Sequence, residues 1–289
     1  MKKAFLQLHI AIFLAGFTGI LGRLITLNEG MLVWYRMLFT IIALWIMVAF
    51  AGHMKRISRK ELFKLYGTGA IVALHWGFFY GSIKYANVSI GLVCFSAVSF
   101  FTALLEPLIF RKRINSTEFL LGILVMVGIY FIFHFDPRYK TGILLGIISS
   151  LLATCFTIFN KILLKQHSPM DLTLHELTGG WLSLSLLLPV YLYFFPVSHY
   201  LPGWSDSGWL LVLSLFCTVL AFNLSMSALK KISPFTVNLS YNLEPLYGIL
   251  LAFIIYREDR ELEKGFYIGI SIIMFTVFLQ SWRIWKMKS

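Results

Sequence analysis

The sequence predicts an all-α, polytopic integral membrane protein with ten transmembrane helices, built as two inverted five-helix repeats. Of the 289 residues, 58% are hydrophobic and only 13% are charged, whereas an ordinary soluble domain carries roughly a quarter charged residues. The apolar residues come in runs of about 18 to 24, the length that crosses a hydrocarbon core roughly 30 Å thick. Several sequence elements of the first half also recur in the second half.

Ten predicted spans are bounded by polar clusters and by Gly or Pro residues. In the first half they cover residues 4–27, 30–51, 64–84, 88–110 and 117–134. In the second half they cover residues 141–164, 171–195, 208–229, 234–256 and 263–283. We interpret the first run as a retained helix, because it is longer than the apolar core of a signal peptide and lacks a clear cleavage site. The connections are nearly all short, so no sizeable domain is expected outside the membrane.

The internal repeat divides the chain into a first unit, residues 1–138, and a second unit, residues 139–289. The matching positions are Lys84 with Lys230 and Arg111 with Arg257 at an offset of 146 residues, and Ala15–Arg23 with Ala153–Lys161 at an offset of 138. Because each unit holds an odd number of spans, the second copy enters the membrane in the opposite sense. Inverted repeats of this kind favour a carrier that works by alternating access.

The formal net charge of +12 does not indicate nucleic-acid binding, because the Lys and Arg residues lie at the ends of apolar runs. If the N-terminus is cytoplasmic, the cytoplasmic set contains Lys2, Lys3, Lys55, Arg56, Arg59, Lys60, Lys64, Arg111, Lys112, Arg113, Lys161, Lys165, Lys230, Lys231, Arg283, Lys286 and Lys288. The set on the other side is much smaller and contains Lys84, Arg138, Lys140, Arg257, Arg260 and Lys264. Because cytoplasmic loops are enriched in Lys and Arg, the sequence predicts a multi-pass protein of the inner (plasma) membrane with both termini in the cytoplasm.

No cofactor or metal site is predicted. Cys94, Cys155 and Cys217 each lie inside an apolar run without the spacing of metal ligands, and cysteine there behaves as a small hydrophobic residue. His175-Glu176 lacks the second histidine of a zinc-binding helix, and the chain contains neither a G-x-S-x-G motif nor the Walker spacing. An enzyme or an ATP-driven pump is therefore not expected. A membrane-embedded enzyme and a non-transporting scaffold or receptor stay open as alternatives.

Three motifs carry a resemblance to a known family. The run Asn242–Leu246, which reads NLEPL and is followed by Tyr256–Glu258, resembles the ninth helix of EamA-type transporters in the drug/metabolite transporter superfamily. Ser82–Ala86 is similar to that family's boundary between helices 3 and 4, and Trp34–Arg36 is similar to the start of its second helix. The resemblance spans nearly the whole chain and implies secondary transport of a small metabolite, directed outward. Because such transporters export amino acids, nucleobases, drugs and other metabolites, the resemblance does not identify the substrate.

One departure from the family pattern concerns the fourth span. Its Glu106-Pro107 pair lies later in the helix than the position that the repeat matches with Glu244-Pro245, where Val98 and Ser99 stand. A family-wide role for Glu106 is therefore in doubt.

Polar residues of the third span are candidates for substrate binding, since ionisable side chains at bilayer depth normally face a cavity, a partner or water. His75 and Trp76 lie in mid-span, with Phe79 and Tyr80 one turn further. An imidazole beside aromatic rings suits an amphipathic or zwitterionic substrate. The alternative is that His75 only donates a hydrogen bond to a neighbouring helix while Trp76 packs.

The ninth span carries the second group of candidates. Glu244 precedes Pro245, which removes one helical hydrogen bond and can kink the span. Asn238, Tyr241 and Asn242 form a polar segment beside it. These residues predict a substrate contact and a gating hinge. The alternative is that Pro245 only shapes the helix while neighbouring Asn or Tyr side chains hydrogen-bond Glu244.

Arg36, Glu106 and Glu176 are candidates for coupling or gating. Glu106 could accept a proton or pair with Arg111 or Lys112 near the cytoplasmic end of its span. Arg36 could bind a substrate carboxylate or pair with Glu176, since the two lie at matching positions of the repeat.

Further polar and small residues complete the predicted set. His175 is a substrate-binding candidate on the seventh span. His9 and Asn160, in the first helix of each repeat, are expected to line a central vestibule or to join helices by hydrogen bonds. The pairs that permit close helix approach, and with it a homodimer, are Gly77 with Gly81, Gly142 with Gly146 and Gly265 with Gly269.

Together these features predict a secondary transporter whose two halves rock around a central site within the lipid bilayer. Its expected partner is a small-molecule substrate such as an amino acid or a related amphipathic compound.

Overall fold

The computed structural model describes residues 2–51, 57–135, 137–197 and 199–286. Its helices are α1 (Lys2–Leu24), α2 (Glu29–Ala51), α3 (Arg59–Tyr85), α4 (Val88–Phe95), α5 (Val98–Phe110), α6 (Ser116–Phe135), α7 (Lys140–Leu163), α8 (Pro169–Phe194), α9 (Trp204–Ser214), α10 (Ala221–Leu229), α11 (Pro234–Tyr241), α12 (Glu244–Tyr256) and α13 (Lys264–Lys286). Lys55, Arg56 and Lys288, which the charge pattern assigns to the cytoplasmic side, lie outside the described residues.

The described helices form ten spans, and the predicted polytopic all-α fold is confirmed. Seven spans are long and apolar enough to cross a membrane: α1, α2, α4 with α5, α7, α8, α9 with α10, and α11 with α12. Helix α6 and helix α13 contribute shorter apolar stretches, Ser116–Ile132 and Lys264–Gln280. Helix α3 is 27 residues long and starts with a charged turn. It begins at Arg59 and not at residue 64, because Ser58 and Glu61 form a capping box in front of it.

Two spans that the sequence predicted as continuous are interrupted, and a third changes its helix type. Helix α4 ends at Phe95 and α5 begins at Val98, while α11 ends at Tyr241 and α12 begins at Glu244. A π-helical segment, residues Leu215–Leu220, separates α9 from α10. Because the predicted runs are apolar on both sides of each interruption, hydropathy alone could not reveal them.

The two halves repeat each other helix by helix. Helices α1, α2, α3, α4 and α6 of the first half correspond in order to α7, α8, α9, α11 and α13 of the second. The break after Phe95 corresponds to the break after Tyr241. The broken spans end on Arg111 and Arg257, and both of these arginines have a left-handed backbone, with φ of 52° and 57°. The repeat seen in the sequence is therefore a repeat of structure, while the boundary between residues 138 and 139 stays a prediction.

The bundle has two faces, which we name by the position of the chain termini. The terminal face is the side on which α1 begins and α13 ends, and the opposite face is the other side. Helices α4 and α9 begin at the opposite face, and α5 and α10 end at the terminal face. Many large apolar side chains on the outside of the bundle are exposed, among them Leu186, Ile254 and Phe278, as expected for a surface that contacts lipid.

Small residues let helices pack closely within the chain. A Cβ atom added to Gly142 would lie 2.5 Å from the Cβ of Ala86, and one added to Gly146 would lie 2.6 Å from the Cβ of Cys94. A Cβ on Gly269 would overlap the backbone carbonyl of Gly128. Three of the glycines proposed as dimer contacts thus lie in contacts between helices of one chain. A homodimer stays a prediction, and these three glycines do not support it.

Helices α3 and α8 make one of the closest backbone contacts. A Cβ on Gly180 would lie 2.5 Å from the carbonyl oxygen of Gly69, and a Cβ on Gly69 would overlap the carbonyl oxygen of Glu176. Because backbone atoms cannot move aside as a side chain can, this contact requires glycine on both helices.

We expect Gly69→Ala to destabilise the protein by about 1–3 kcal/mol, since the added methyl group forces α3 and α8 apart. Gly77→Ala, on the same helix, is the matched control, because a Cβ at Gly77 meets nothing within 4 Å. Thermal unfolding of both variants in the same detergent measures the difference. Equal melting temperatures for the two variants would contradict the packing described here.

Candidate functional site

A cavity of about 90 Å³ lies in the middle of the bundle. It is smaller than the roughly 300–1,000 Å³ typical of pockets for drug-sized ligands. Of the residues predicted for the site, its walls contain Arg36, His75, Trp76, Phe79, Asn238, Tyr241 and Glu244. The breaks place Phe95, Tyr241 and Glu244 here, at the interrupted middle of two spans. The cavity is therefore lined by both repeats.

Arg36 is the cation of the cavity wall, although only 2% of it is exposed. Its Nε donates to Thr218 Oγ1 at 2.9 Å and its Nη1 donates to the Tyr80 hydroxyl at 2.7 Å. A longer contact of 3.4 Å joins its Nη2 to the carbonyl of Cys217. The guanidinium also lies over the Trp76 ring, 3.9 Å from the centroid, in cation–π geometry. Because a guanidinium has five N–H donors, two remain available for a ligand.

The π-helical segment shapes this side of the site. Cys217 and Thr218, which both contact Arg36, belong to Leu215–Leu220. Thr218 Oγ1 donates in turn to the carbonyl of Leu213 at 2.9 Å. A π turn leaves backbone carbonyls out of the regular helical ladder and is often found at functional sites. The segment thus presents two acceptors to Arg36, the backbone carbonyl of Cys217 and the side-chain hydroxyl of Thr218.

Glu244 is the carboxylate of the cavity wall and the first residue of α12. It is 4% exposed, and within the described part of the chain its side chain forms neither a hydrogen bond nor an ion pair. In particular, it does not reach Arg36. The neighbouring Asn and Tyr side chains bond other groups: Asn238 donates to Thr102 Oγ1 at 2.8 Å, Asn242 donates to Ser99 Oγ at 3.3 Å, and Tyr241 is hydrogen-bonded to Ser225.

His75 both lines the cavity and bonds a neighbouring helix. Its Nδ1 lies 2.8 Å from Oγ and 3.0 Å from the carbonyl oxygen of Ser149 on α7. A carbonyl oxygen can only accept, so Nδ1 carries a proton, and in a neutral ring Nε2 is then an acceptor. Phe95 and Phe156 pack around the imidazole, with ring centroids 5.4 and 5.3 Å away. The two roles weighed from the sequence are thus compatible.

Other predicted site residues lie away from the cavity wall: Tyr80, Asn160, His175, Asn242, Glu106, Glu176 and Pro245. Tyr80 supports Arg36 through its hydroxyl, as described above. His175 packs edge-on against Trp45, with ring centroids 6.2 Å apart. Asn160 Nδ2 donates to both carboxylate oxygens of Glu176, at 3.0 and 3.2 Å. The expectation that Asn160 lines the vestibule is therefore replaced by a contact behind the cavity wall.

The ion pairs suggested by the sequence are not formed in the described part of the chain. Arg36 is engaged by Thr218, Tyr80 and Cys217, whereas Glu176 accepts from Asn160. Glu106 accepts from the backbone N–H of Phe235 at 2.8 Å and contacts neither Arg111 nor Lys112. In both cases a neutral hydrogen-bond donor takes the place of the expected cation: the Phe235 N–H for Glu106, and the Asn160 amide for Glu176.

Several wall residues were missed from the sequence, namely Thr18, Phe95, Phe156, Ala221, Phe222 and Ser225. The repeat itself holds the signal. The offset that relates Lys84 to Lys230 also carries His75, Trp76 and Phe79 onto Ala221, Phe222 and Ser225, and Phe95 onto Tyr241. Each of these positions lines the cavity. The wall residues of the second repeat could therefore have been found by adding the repeat offset to those of the first.

Comparison with known proteins bears on what this cavity serves. The EamA-like transporter family matches the chain twice, over residues 2–134 and 140–282.

The chain belongs to this family.

It is thus a membrane transporter with an EamA-like repeat in each half. Two relatives are described as uncharacterized transporters. One, from Haemophilus influenzae (strain ATCC 51907 / DSM 11121 / KW20 / Rd), is 20% identical over 268 residues, which cover 86% of this chain and 84% of the relative. The other, from Archaeoglobus fulgidus (strain ATCC 49558 / DSM 4304 / JCM 9628 / NBRC 100126 / VC-16), is 28% identical over 138 residues, which cover 47% of this chain and 49% of the relative.

A solved crystal structure of a protein shares the fold, with a TM-score of 0.68 over 95% of each chain and 14% sequence identity.

In this EamA-like chain, carboxylate side chains cap the N-termini of both broken spans. Glu258 follows α12 and accepts from the backbone N–H groups of Val88 and Ser89, at 3.1 and 2.9 Å, where α4 begins. It also accepts from the Ser89 hydroxyl at 2.5 Å and forms an ion pair with Arg23. Glu106, on α5, caps the start of α11 through Phe235. Because the first N–H groups of a helix lack helical partners, each broken span satisfies the other.

Further contacts close the opposite face around Glu258. Thr26 donates to both carboxylate oxygens of Asp206, through its N–H at 3.0 Å and its hydroxyl at 2.7 Å. The Tyr256 hydroxyl donates to the carbonyl of Ile20 at 3.0 Å. Lys84 donates to the carbonyls of Ile25 and Leu27. Loops and helix ends are therefore held together on this side of the cavity.

We expect Glu258→Ala to destabilise the EamA-like fold by about 1–3 kcal/mol, because it leaves buried backbone donors of α4 without an acceptor. Glu258 is 0% exposed, whereas Glu261, on the same connection, is exposed. Glu261→Ala is therefore the control, and thermal unfolding in detergent is the measurement. If both variants have the same melting temperature as the wild type, the carboxylate cap contributes nothing to stability.

Proposed function

We propose that this transporter is a secondary carrier that exports a small zwitterionic metabolite, such as an amino acid, by alternating access. The central cavity is its substrate site. Glu244 binds the ammonium group of the substrate, and Arg36 binds its carboxylate.

The observation that carries this proposal is a buried carboxylate and a buried guanidinium that share one cavity without pairing. Glu244 has no hydrogen bond or ion pair in the described residues, and Arg36 keeps two free N–H donors. Leaving a buried charge without a partner is costly. A zwitterion would supply the missing partner to both groups at once, which a neutral solute or a simple ion cannot do.

The remaining walls suit an apolar side chain on that zwitterion. Aromatic rings from both repeats line the cavity, including Trp76, Phe79, Phe95, Phe156 and Phe222. Such rings offer a large apolar surface. The volume of about 90 Å³ favours a small metabolite in this conformation.

The position of the cavity supports outward transport. Its lining reaches Leu229 at the end of α10 and Val237 in the first turn of α11, near the terminal face. Toward the opposite face it stops at Arg36 and Phe79, short of the contacts around Glu258. If the terminal face is cytoplasmic, as its Lys and Arg residues favour, this conformation is the one that loads substrate from the cytoplasm.

The transport experiment uses purified protein in proteoliposomes and measures counterflow of three related compounds: L-phenylalanine, its decarboxylated amine and its deaminated acid. We expect saturable flux for the amino acid only. Losing one charge contact in the buried site costs about 2–5 kcal/mol, so Glu244→Gln and Arg36→Gln should each weaken apparent affinity by about 30-fold or more.

Glu263→Gln is the control, because it makes the same Glu-to-Gln change at an exposed position, and it should leave flux unchanged. Equal flux of amine, acid and amino acid would contradict zwitterion recognition. No flux of any tested metabolite would instead favour the scaffold or enzyme alternative.

The proposed orientation has its own test. We propose that the protein lies in the plasma membrane with the terminal face in the cytoplasm. In a cysteine-free background, an impermeant maleimide added to intact spheroplasts should label Asp259→Cys, on the opposite face. It should label Lys112→Cys, on the terminal face, only after permeabilisation. Both positions are exposed, so the reverse pattern would show that the orientation is inverted.

A further inference from the structure

A second buried carboxylate lies outside the cavity, between α7 and α8. Glu176 and Asn160 are both 0% exposed. Asn160 Nδ2 lies 3.0 Å from Oε1 and 3.2 Å from Oε2 of Glu176. Within the described residues, this amide is the only hydrogen-bond donor to the Glu176 side chain, and no cation pairs with it.

The charged and titratable groups on the surrounding helices are engaged elsewhere. On α7, Lys161 donates to the carbonyls of Leu229, Lys230 and Ile232. On α8, Asp171 accepts from the Ser168 hydroxyl at 2.7 Å, and His175 packs against Trp45. On α2, Arg36 is held at the cavity by Tyr80 and Thr218.

Helix α5 also packs against α7, and its Glu106 accepts from the backbone N–H of Phe235. Helix α3, which packs against both α7 and α8, carries two more titratable groups. On α3, Tyr66 packs against Gly179, and His75 is bonded to Ser149. Helix α10 contributes no charged residue between Ala221 and Leu229. Nothing in the described surroundings therefore compensates a negative charge on Glu176.

An ionised carboxylate in such a place is costly, because it has neither water nor a cation to replace its hydration. The neutral acid avoids this cost but brings an O–H group that needs an acceptor. Asn160 Oδ1 is buried and has no hydrogen-bond partner. Turning the amide toward the acid lets Oδ1 accept the Glu176 O–H while Nδ2 donates to the other oxygen. A proton on Glu176 thus gives Asn160 Oδ1 a hydrogen-bond donor and removes the need for a cation beside Glu176.

The pair is also placed where the conformation of the carrier can act on it. Thr157, one turn before Asn160 on α7, lines the cavity. The backbone carbonyl of Glu176 lies at the close contact with Gly69 of α3, which belongs to the other repeat. When the two repeats move relative to one another, this contact is among those that must rearrange. Water could then reach the carboxyl group and exchange a proton with it.

We infer that the Glu176–Asn160 pair is the proton-binding site through which this carrier exchanges protons for substrate. The inference rests on the proposed carrier function, but the site is distinct from the substrate cavity. Glu176 takes up a proton from water at the opposite face after the substrate has left, and releases it to water at the terminal face when the next substrate binds, so each cycle moves one proton against one substrate molecule.

The first test measures the proton alone, by infrared spectroscopy of the purified protein in lipid at neutral pH. The wild type should show a carbonyl band of a protonated carboxyl group. The band should lose the intensity of one carboxyl group in Glu176→Gln, and that component should shift in frequency in Glu176→Asp, which keeps a carboxyl group if the first variant folds poorly. Glu118→Gln, a carboxylate paired with Arg283, is the control and should leave the band intact. A wild type without the band, or a band that is unchanged in Glu176→Gln, overturns the inference.

The second test measures coupling in proteoliposomes, with L-phenylalanine counterflow as the reference. Glu176→Gln keeps the size and polarity of the side chain, so counterflow should survive while accumulation driven by a pH gradient is lost by tenfold or more. Counterflow in the wild type without any response to the pH gradient overturns the proton site and leaves the carrier function intact. A sodium-driven flux that ignores pH does the same. Absence of all flux overturns the carrier function itself.

Discussion

The two broken spans depend on each other for the hydrogen bonds that a bilayer cannot supply. Water is absent from the hydrocarbon core, so a helix that starts again inside the membrane, or at its edge, needs acceptors from the protein. Here Glu258, after the second broken span, binds the start of the first, and Glu106, within the first, binds the start of the second. Most other features of the bundle are arranged around this reciprocal contact.

One consequence is the position of the cavity. Helices α4 and α11 each run eight residues from the anchored start of the span to its interruption, and there Phe95, Tyr241 and Glu244 line the cavity. The two anchors are not equal, however. Glu258 also pairs with Arg23, whereas Glu106 accepts only the N–H of Phe235 among the described residues. The side held by more contacts is the side on which the cavity is closed.

Much of the fold could be predicted from the sequence, because lipid imposes simple rules. The length of apolar runs located the spans, and the repeat that pairs Arg111 with Arg257 is matched by the left-handed backbone of both arginines. The break before Glu244 had a visible cause in Pro245. The break after Phe95 had none, since its sequence contains no proline and its neighbours Ser96 and Ala97 are compatible with a helix. At this break Thr154 of α7 donates to the carbonyl of Val98, and Asn242, which follows α11, donates to Ser99 Oγ; a linear pattern does not contain such contacts.

The candidate site was predicted in part, and its errors share a cause. Arg36, His75 and Glu244 stand out because a charged or polar group in an apolar run is costly. Phe156 and Phe222 do not stand out, because an aromatic ring in a span usually faces lipid. The partner of Glu106 was sought among cations close in sequence and that of Glu176 at the matching position of the repeat, yet the structure uses a backbone N–H and an amide. Which donor lies nearest a buried carboxylate is decided by tertiary structure.

The π-helical segment Leu215–Leu220 makes the eighth span unlike its counterpart α3, which is a continuous α-helix. A π turn holds one residue more than an α turn. Removing a residue there would restore a regular helix and turn α10 by about 100°, which would carry Phe222 and Ser225 out of the cavity wall. The face of α10 that meets the cavity is therefore fixed by this segment, whose Cys217 carbonyl and Thr218 hydroxyl also accept from Arg36.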